Sequence, residues 1–119
     1  MRHHNTNKKF GRQAGERQAL IRSLAVSLIT HEKIVTTETK AKSIRPIIEK
    51  MVTTARNADI AAVRLIKARL GNNSKATAKL VKEIAPKYKE RAGGYTRITK
   101  MGPRSGKGDA SPVATIEFI

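Results

Sequence analysis

Apolar residues recur every three or four positions through most of the chain and change to alternation only near its end. That pattern predicts amphipathic helices followed by sheet. Leu20, Leu24 and Leu28 fall four apart with Ile21 and Ala25 beside them, which predicts a helix over 16–30. The β-branched run Ile34, Val35, Thr36, Thr37 predicts a short strand. Thr37 can cap the next helix, marked by Ala41, Ile44, Ile48, Met51 and Ala55. Pro46 lies inside that helix and lacks an N–H, so a kink or a helix start near Ser43 is expected. Asp59 reads as the cap of a third helix over 60–70, stopped by Gly71, with Ile60, Val63 and Ile66 inward and Arg64, Lys67 and Arg69 elsewhere. A fourth helix starts at Asn73 or Ser74, turns Leu80, Val81 and Ile84 to the core, and ends at Pro86, which opens a last turn or short helix up to Arg91. Strands are predicted over 96–101 and 113–118. In the second, Ala114, Ile116 and Phe118 alternate with Thr115 and Glu117, so one face is buried and the other wet. The order α-β-α-α-α-β-β specifies an α+β domain with helices packed on one side of a small three-stranded sheet.

Charge changes the picture of what such a domain is for. The 119 residues suit one domain, divided into a basic N-terminal arm, 1–12, and a compact unit, 13–119. Against 9 acids stand 25 Lys and Arg, a net charge of +16. A chain this basic repels itself unless a polyanion lies beside it, and nucleic acid is the leading candidate because docked phosphates release counterions. A membrane surface fits less well, since such helices bury Trp, Phe or Leu and this chain has no Trp and two Phe. The basic, polar start has no apolar signal-type core, so a soluble, non-exported protein is expected. With no cysteine, disulfides, zinc knuckles and thiol chemistry are excluded.

Candidate RNA-binding residues fall in four places. The arm carries Arg2, Lys8, Lys9 and Arg12 with no acid, and Phe10 is its only large apolar residue. Such a segment cannot offset its ordering entropy by burial; it either orders against RNA or serves as a solubilising tail. His3 and His4 lack companions at metal-ligand spacing and suit hydrogen bonding or backbone contacts. Arg12, Arg17 and Arg22 step along the first helix at intervals of five and so spread around its axis. At the hinge, residues 91–97, where a basic helical run stops on a glycine pair and a strand begins, Arg91 and Arg97 flank Tyr95 beside Gly93 and Gly94, glycines that admit positive φ and a close polyanion. Tyr95 either stacks on a base while the arginines fork onto phosphates, or plugs the core. The Gly, Pro and Ser-rich loop 102–112 adds Arg104 and Lys107.

Catalysis finds little support. Gly102, Gly106 and Lys107 imitate a phosphate-binding loop, but the gap is one residue short, Gly108 replaces the magnesium-binding hydroxyl, and no helix follows. The acids are scattered singly, and His31 beside Glu32 suits capping or packing better than proton transfer. Neither a cofactor, a metal nor a small-molecule substrate is expected.

Met1, Arg2, His3, Gly11, Arg12, Arg17, Ala19, Arg22, Ser27, Leu28, His31 and Glu32 open a resemblance that continues through Thr36, Thr37, Lys40, Ala41 and Lys42. It closes with residues 91–98, then Gly108, Asp109, Pro112, Ala114, Ile116 and Glu117. Over essentially the whole chain these residues resemble the bacterial large-subunit ribosomal protein seventeen family. The central region, 56–82, matches least specifically. The resemblance implies a small mixed sheet covered on one side by helices and a non-catalytic constituent of the large ribosomal subunit in the cytoplasm. It also implies contact with ribosomal RNA, Lys40 included, and with neighbouring ribosomal proteins near the outer end of the exit tunnel. The family often has Arg or Lys at His4 and Asn5, Asn at Ser23 and Met at Val113. A free, nucleoid-type nucleic-acid-binding protein is the alternative.

Overall fold

A computed structural model of the chain describes residues 13–57, 59–103 and 111–119. The elements are α1 (Ala14–His31), β1 (Lys33–Thr37), α2 (Glu38–Ala55), α3 (Ile60–Arg69) and α4 (Ser74–Lys79), which runs into a π-helical turn, Leu80–Ile84, and a 3₁₀ turn, Ala85–Tyr88. Strands β2 (Thr96–Pro103) and β3 (Pro112–Phe118) complete an α+β fold.

Short polar side chains start three of the helices. Thr37 Oγ1 accepts from Lys40 N at 3.4 Å, Asp59 Oδ1 from Ala62 N at 2.7 Å and Asn73 Oδ1 from Ala76 N at 3.0 Å, each satisfying a donor with no intrahelical partner. Helix α3 ends in a Schellman motif: Asn72 N donates to Lys67 O at 2.8 Å and Gly71 N to Ala68 O at 3.2 Å, with Gly71 at φ +66. A Cβ on Gly71 would lie 2.6 Å from Arg22 Cδ, so the stem of Arg22 packs over this turn.

Helix α2 begins at Glu38, not near Ser43, and continues through Pro46. Ile44 and Ile48, wholly buried on either side of the proline, hold the helix in place despite the missing bond. The π turn precedes Pro86: Ala85 N donates to Leu80 O, five residues back, so the helix widens where a proline ring would otherwise press on the preceding turn. The inward face of α3 is Ala62 and Ile66, continued by Leu70, whereas Ile60, expected inside, is 71% exposed.

The sheet is antiparallel throughout, in the order β1-β3-β2, where the family resemblance implied a mixed one. Ile34, Ile116 and Ile98 lie opposite one another across the strands, turned to the helices. Leu28 and Ile29 of α1 and Ile44, Ile48 and Val52 of α2 close the core over Ala114 and Ile116. Each fully buried Leu or Ile contributes about 1.5–3 kcal/mol relative to exposure. On the other face run Lys33–Glu117–Arg97 and Val35–Thr115–Thr99. Thr115, expected to be wet, is buried there, its hydroxyl donating to Met101 Sδ.

Candidate nucleic-acid interface

The hinge between the 3₁₀ turn and β2 is fastened to α2 by its own residues. Tyr95 is 0% exposed. Its hydroxyl lies 3.0 Å from Thr53 Oγ1 and donates to Arg91 O at 3.2 Å, and its ring tilts against Tyr88 with centroids 5.2 Å apart. The Arg56 guanidinium sits 5.9 Å from the Tyr95 ring centroid while also donating to Arg91 O. Of the two roles open to Tyr95, the structure therefore gives it the core plug: a ring enclosed on this scale presents no face to a base. Thr96, next in the chain, gives its N–H and hydroxyl to Glu49 Oε2 at 3.3 and 2.9 Å.

The expected clamp of Arg91 and Arg97 around Tyr95 is not assembled. Arg91 is exposed, with its carbonyl used by Tyr95 and Arg56. Arg97 lies on the outer face of the sheet and is engaged by Glu117 Oε1, at 3.1 Å from Nε and 2.7 Å from NH2. That hydrogen bond is the main reason the Glu117 carboxyl is held below the ordinary carboxylate range, with the charges of Arg97 and Lys33 adding to it. Glu38 is lowered in the same way, chiefly by its hydrogen bond with Lys42 and also by Lys100. Burial raises the Tyr88 phenol, whose hydroxyl donates to Ile119 O at 2.7 Å.

The remaining candidates divide by position. Arg17 is half-buried and Arg22 exposed along α1, whose residues 14–19 include none that is buried, so the helix start projects from the core. Lys40 is half-buried in the first turn of α2. Gly94, at φ +67, makes the turn, and Gly93 lies beside it on the surface of a groove. Arg2, His3, Lys8, Lys9, Arg12, Arg104 and Lys107 lie outside the described residues.

The structure adds cations that reading the sequence did not gather into a site. Arg64, Lys67, Arg69 and Lys75 are exposed on α3 and α4, as is Lys50 on α2, and none forms an ion pair among the described residues. The signal was present in their spacing: Arg64 with Lys67, and Leu65 with Arg69, stand three and four apart and share helix faces. By contrast His31 is exposed at the end of α1, and Glu32, at φ 62, is held by Lys79 at 3.7 Å and Lys87 at 3.5 Å. Among the described residues no group of three or more His, Asp or Glu is placed to hold a metal, and no helix is long and apolar enough to cross a membrane.

Comparison with known proteins agrees with this basic scaffold. The family model described as ribosomal protein L17 matches residues 20–119. The chain is 53% identical over 119 residues to the large ribosomal subunit protein bL17 of Persephonella marina, covering 100% of this chain and 95% of that one. It is 52% identical to the protein of the same name from Helicobacter pylori strain G27, with 100% of both covered, and 49% identical to that of Thermomicrobium roseum, covering 100% and 99%. With likeness of this strength along its full length, the chain belongs to the ribosomal protein L17 family.

Proposed function

We propose that the chain is a non-catalytic structural constituent of the cytoplasmic large ribosomal subunit that binds ribosomal RNA through its surplus of cations. Membership of the L17 family makes it a ribosomal protein, part of the ribonucleoprotein that carries out translation. The observation that carries the RNA reading is the imbalance of charge: a net +16, with Arg64, Lys67, Arg69 and Lys75 uncompensated by any ion pair among the described residues. Phosphates are the counter-charge such a surface calls for. In this reading Arg2, Lys8, Lys9 and Arg12 follow RNA phosphates as an arm, continued by Arg17 and Arg22 on the projecting start of α1. Arg91, Arg104 and Lys107 touch a second stretch of RNA. Neighbouring ribosomal proteins near the outer end of the exit tunnel complete its surroundings.

Sedimentation of cell lysate tests the assignment. The protein is expected to travel with large subunits; recovery in the soluble or nucleoid fraction, with none on subunits, would replace the ribosomal reading by that of a free nucleic-acid-binding protein. For the arm, deletion of residues 2–12 is expected to lower the salt slope of RNA binding by about 0.7–0.9 for each phosphate that the arm neutralises. An unchanged slope would show that the arm neutralises none.

A further inference from the structure

Gly93 is a glycine that the fold does not require. Its neighbour Gly94 adopts φ +67, and Gly71 combines φ +66 with Arg22 packed against it. Gly93 has neither constraint: its φ lies outside the left-handed region, and an added Cβ would meet nothing within 4 Å. Glycine loosens the unfolded chain and so weakens the fold, and nothing inside the molecule offsets that here. The space beside Gly93 is a groove of about 580 Å³ between α2, α3 and the hinge. Volumes of this order hold small organic ligands, whereas an RNA double helix does not enter them.

The chemistry of the groove narrows the occupant. Pro46 of α2, Leu65 of α3 and Ala92 give it apolar surface, and Leu65 stays 44% exposed. Thr54 adds a hydroxyl, while that of Thr53 is engaged by Glu49 O and Tyr95. Its one acid, Glu49, is consumed within the protein by Thr96 and by Arg45, whose Nε lies 3.6 Å away. The cations Lys50 and Arg69 have no such compensation among the described residues. Apolar surface in one groove with two cations, neither ion-paired among the described residues, matches a base with its flanking phosphates; a purely acidic peptide would satisfy the cations and leave the apolar surface unused.

We infer that this groove seats one unstacked nucleotide of the ribosomal RNA, with Lys50 and Arg69 on its phosphates, its base against Pro46 and Leu65, and bare backbone at Gly93 allowing it in. The inference rests on the RNA-binding reading above. Gly93→Leu tests it, because the added side chain fills the groove without a clash at Cβ. The variant should keep or slightly raise the melting temperature of the unaltered protein. It should lose about 5- to 150-fold in affinity for large-subunit ribosomal RNA transcribed in vitro, the range for one base stack. Base-specific chemical probing should show one unpaired nucleotide protected by the unaltered protein and exposed with Gly93→Leu, the rest of the footprint being retained. Lys50→Gln with Arg69→Gln should lower the salt slope by about 0.7–0.9 for each cation. Unaltered affinity and footprint for both variants would overturn the inference. So would a photoreactive residue at position 65 that captures a ribosomal protein instead of RNA in reconstituted subunits. If the unaltered protein itself protects no RNA, the broader RNA reading fails with it.

Discussion

The sheet and the stretch from α3 to the first turn of α4 carry their basic side chains under opposite conditions. Around the sheet, acids are bonded to cations: Glu117 holds Arg97, Glu38 holds Lys42 and Lys100, and Glu32, just before β1, holds Lys87 and, from the last residue of α4, Lys79. On α3 and the first turn of α4, Asp59 caps α3, and Arg64, Lys67, Arg69 and Lys75 face solvent with no acid paired to them among the described residues. Net charge alone hides this division. A cation already paired must give up its partner before it can meet a phosphate, so the sheet contributes shape and rigidity while the helical side contributes attraction. Tyr95 belongs with the rigid half although two arginines flank it in sequence.

The largest effect expected on that division is from Tyr95→Ala, which should remove about 3–5 kcal/mol of stability in thermal or denaturant unfolding without RNA. Tyr95→Phe should cost only about 1 kcal/mol, because the hydroxyl's hydrogen bonding is removed. A Tyr95→Ala protein of full stability and impaired RNA binding would move the ring from the scaffold to the interface.

Next in size, changing Arg64, Lys67 and Arg69 together to Gln should reduce the salt slope of RNA binding by about 2–3, with unfolding hardly altered. Arg97→Gln should leave that slope close to its original value. Equal effects of the two sets would erase the distinction between paired and unpaired cations.

The smallest effect is the acid response of the pairs. Glu38 and Glu117 both have folded-state carboxyls lowered below 4.5. Their contribution to stability is therefore complete above about pH 4.5 and is lost as pH falls through the lowered folded values. Glu38→Gln with Glu117→Gln should flatten this part of the acid limb in melting experiments across pH 2–6. An unchanged limb would show that the pairs do not matter to folding. Both pairs are solvent-accessible, so screening keeps their contribution small.

How far the sequence could be read follows from the range of the interactions. Thr37, Asp59 and Asn73 announced their helices because a cap bonds a donor three residues ahead. The alternation of Ala114 and Ile116 likewise marked the buried face of β3. Ile60 misled because it is the first residue of α3, and the small Ala62 conceals the true phase of the inward stripe. Pro46 does not set the start of α2, because the burial of Ile44 and Ile48 outweighs one missing backbone bond. Longer range was illegible. Thr53, which fixes Tyr95, is 42 residues away, and Glu117, which engages Arg97, is 20 away. The directions of the strands, hence an antiparallel sheet, depend on a pairing of β1 with β3 that no local pattern encodes.

The central claim is tested most directly by photoreactive residues placed singly at Lys67 on α3 and at Thr99 on the outer sheet face, followed by crosslinking in intact large subunits. Lys67 should yield adducts that ribonuclease digests, and Thr99 should yield none. RNA adducts from Thr99 with none from Lys67 would contradict the assignment of attraction to the helical side.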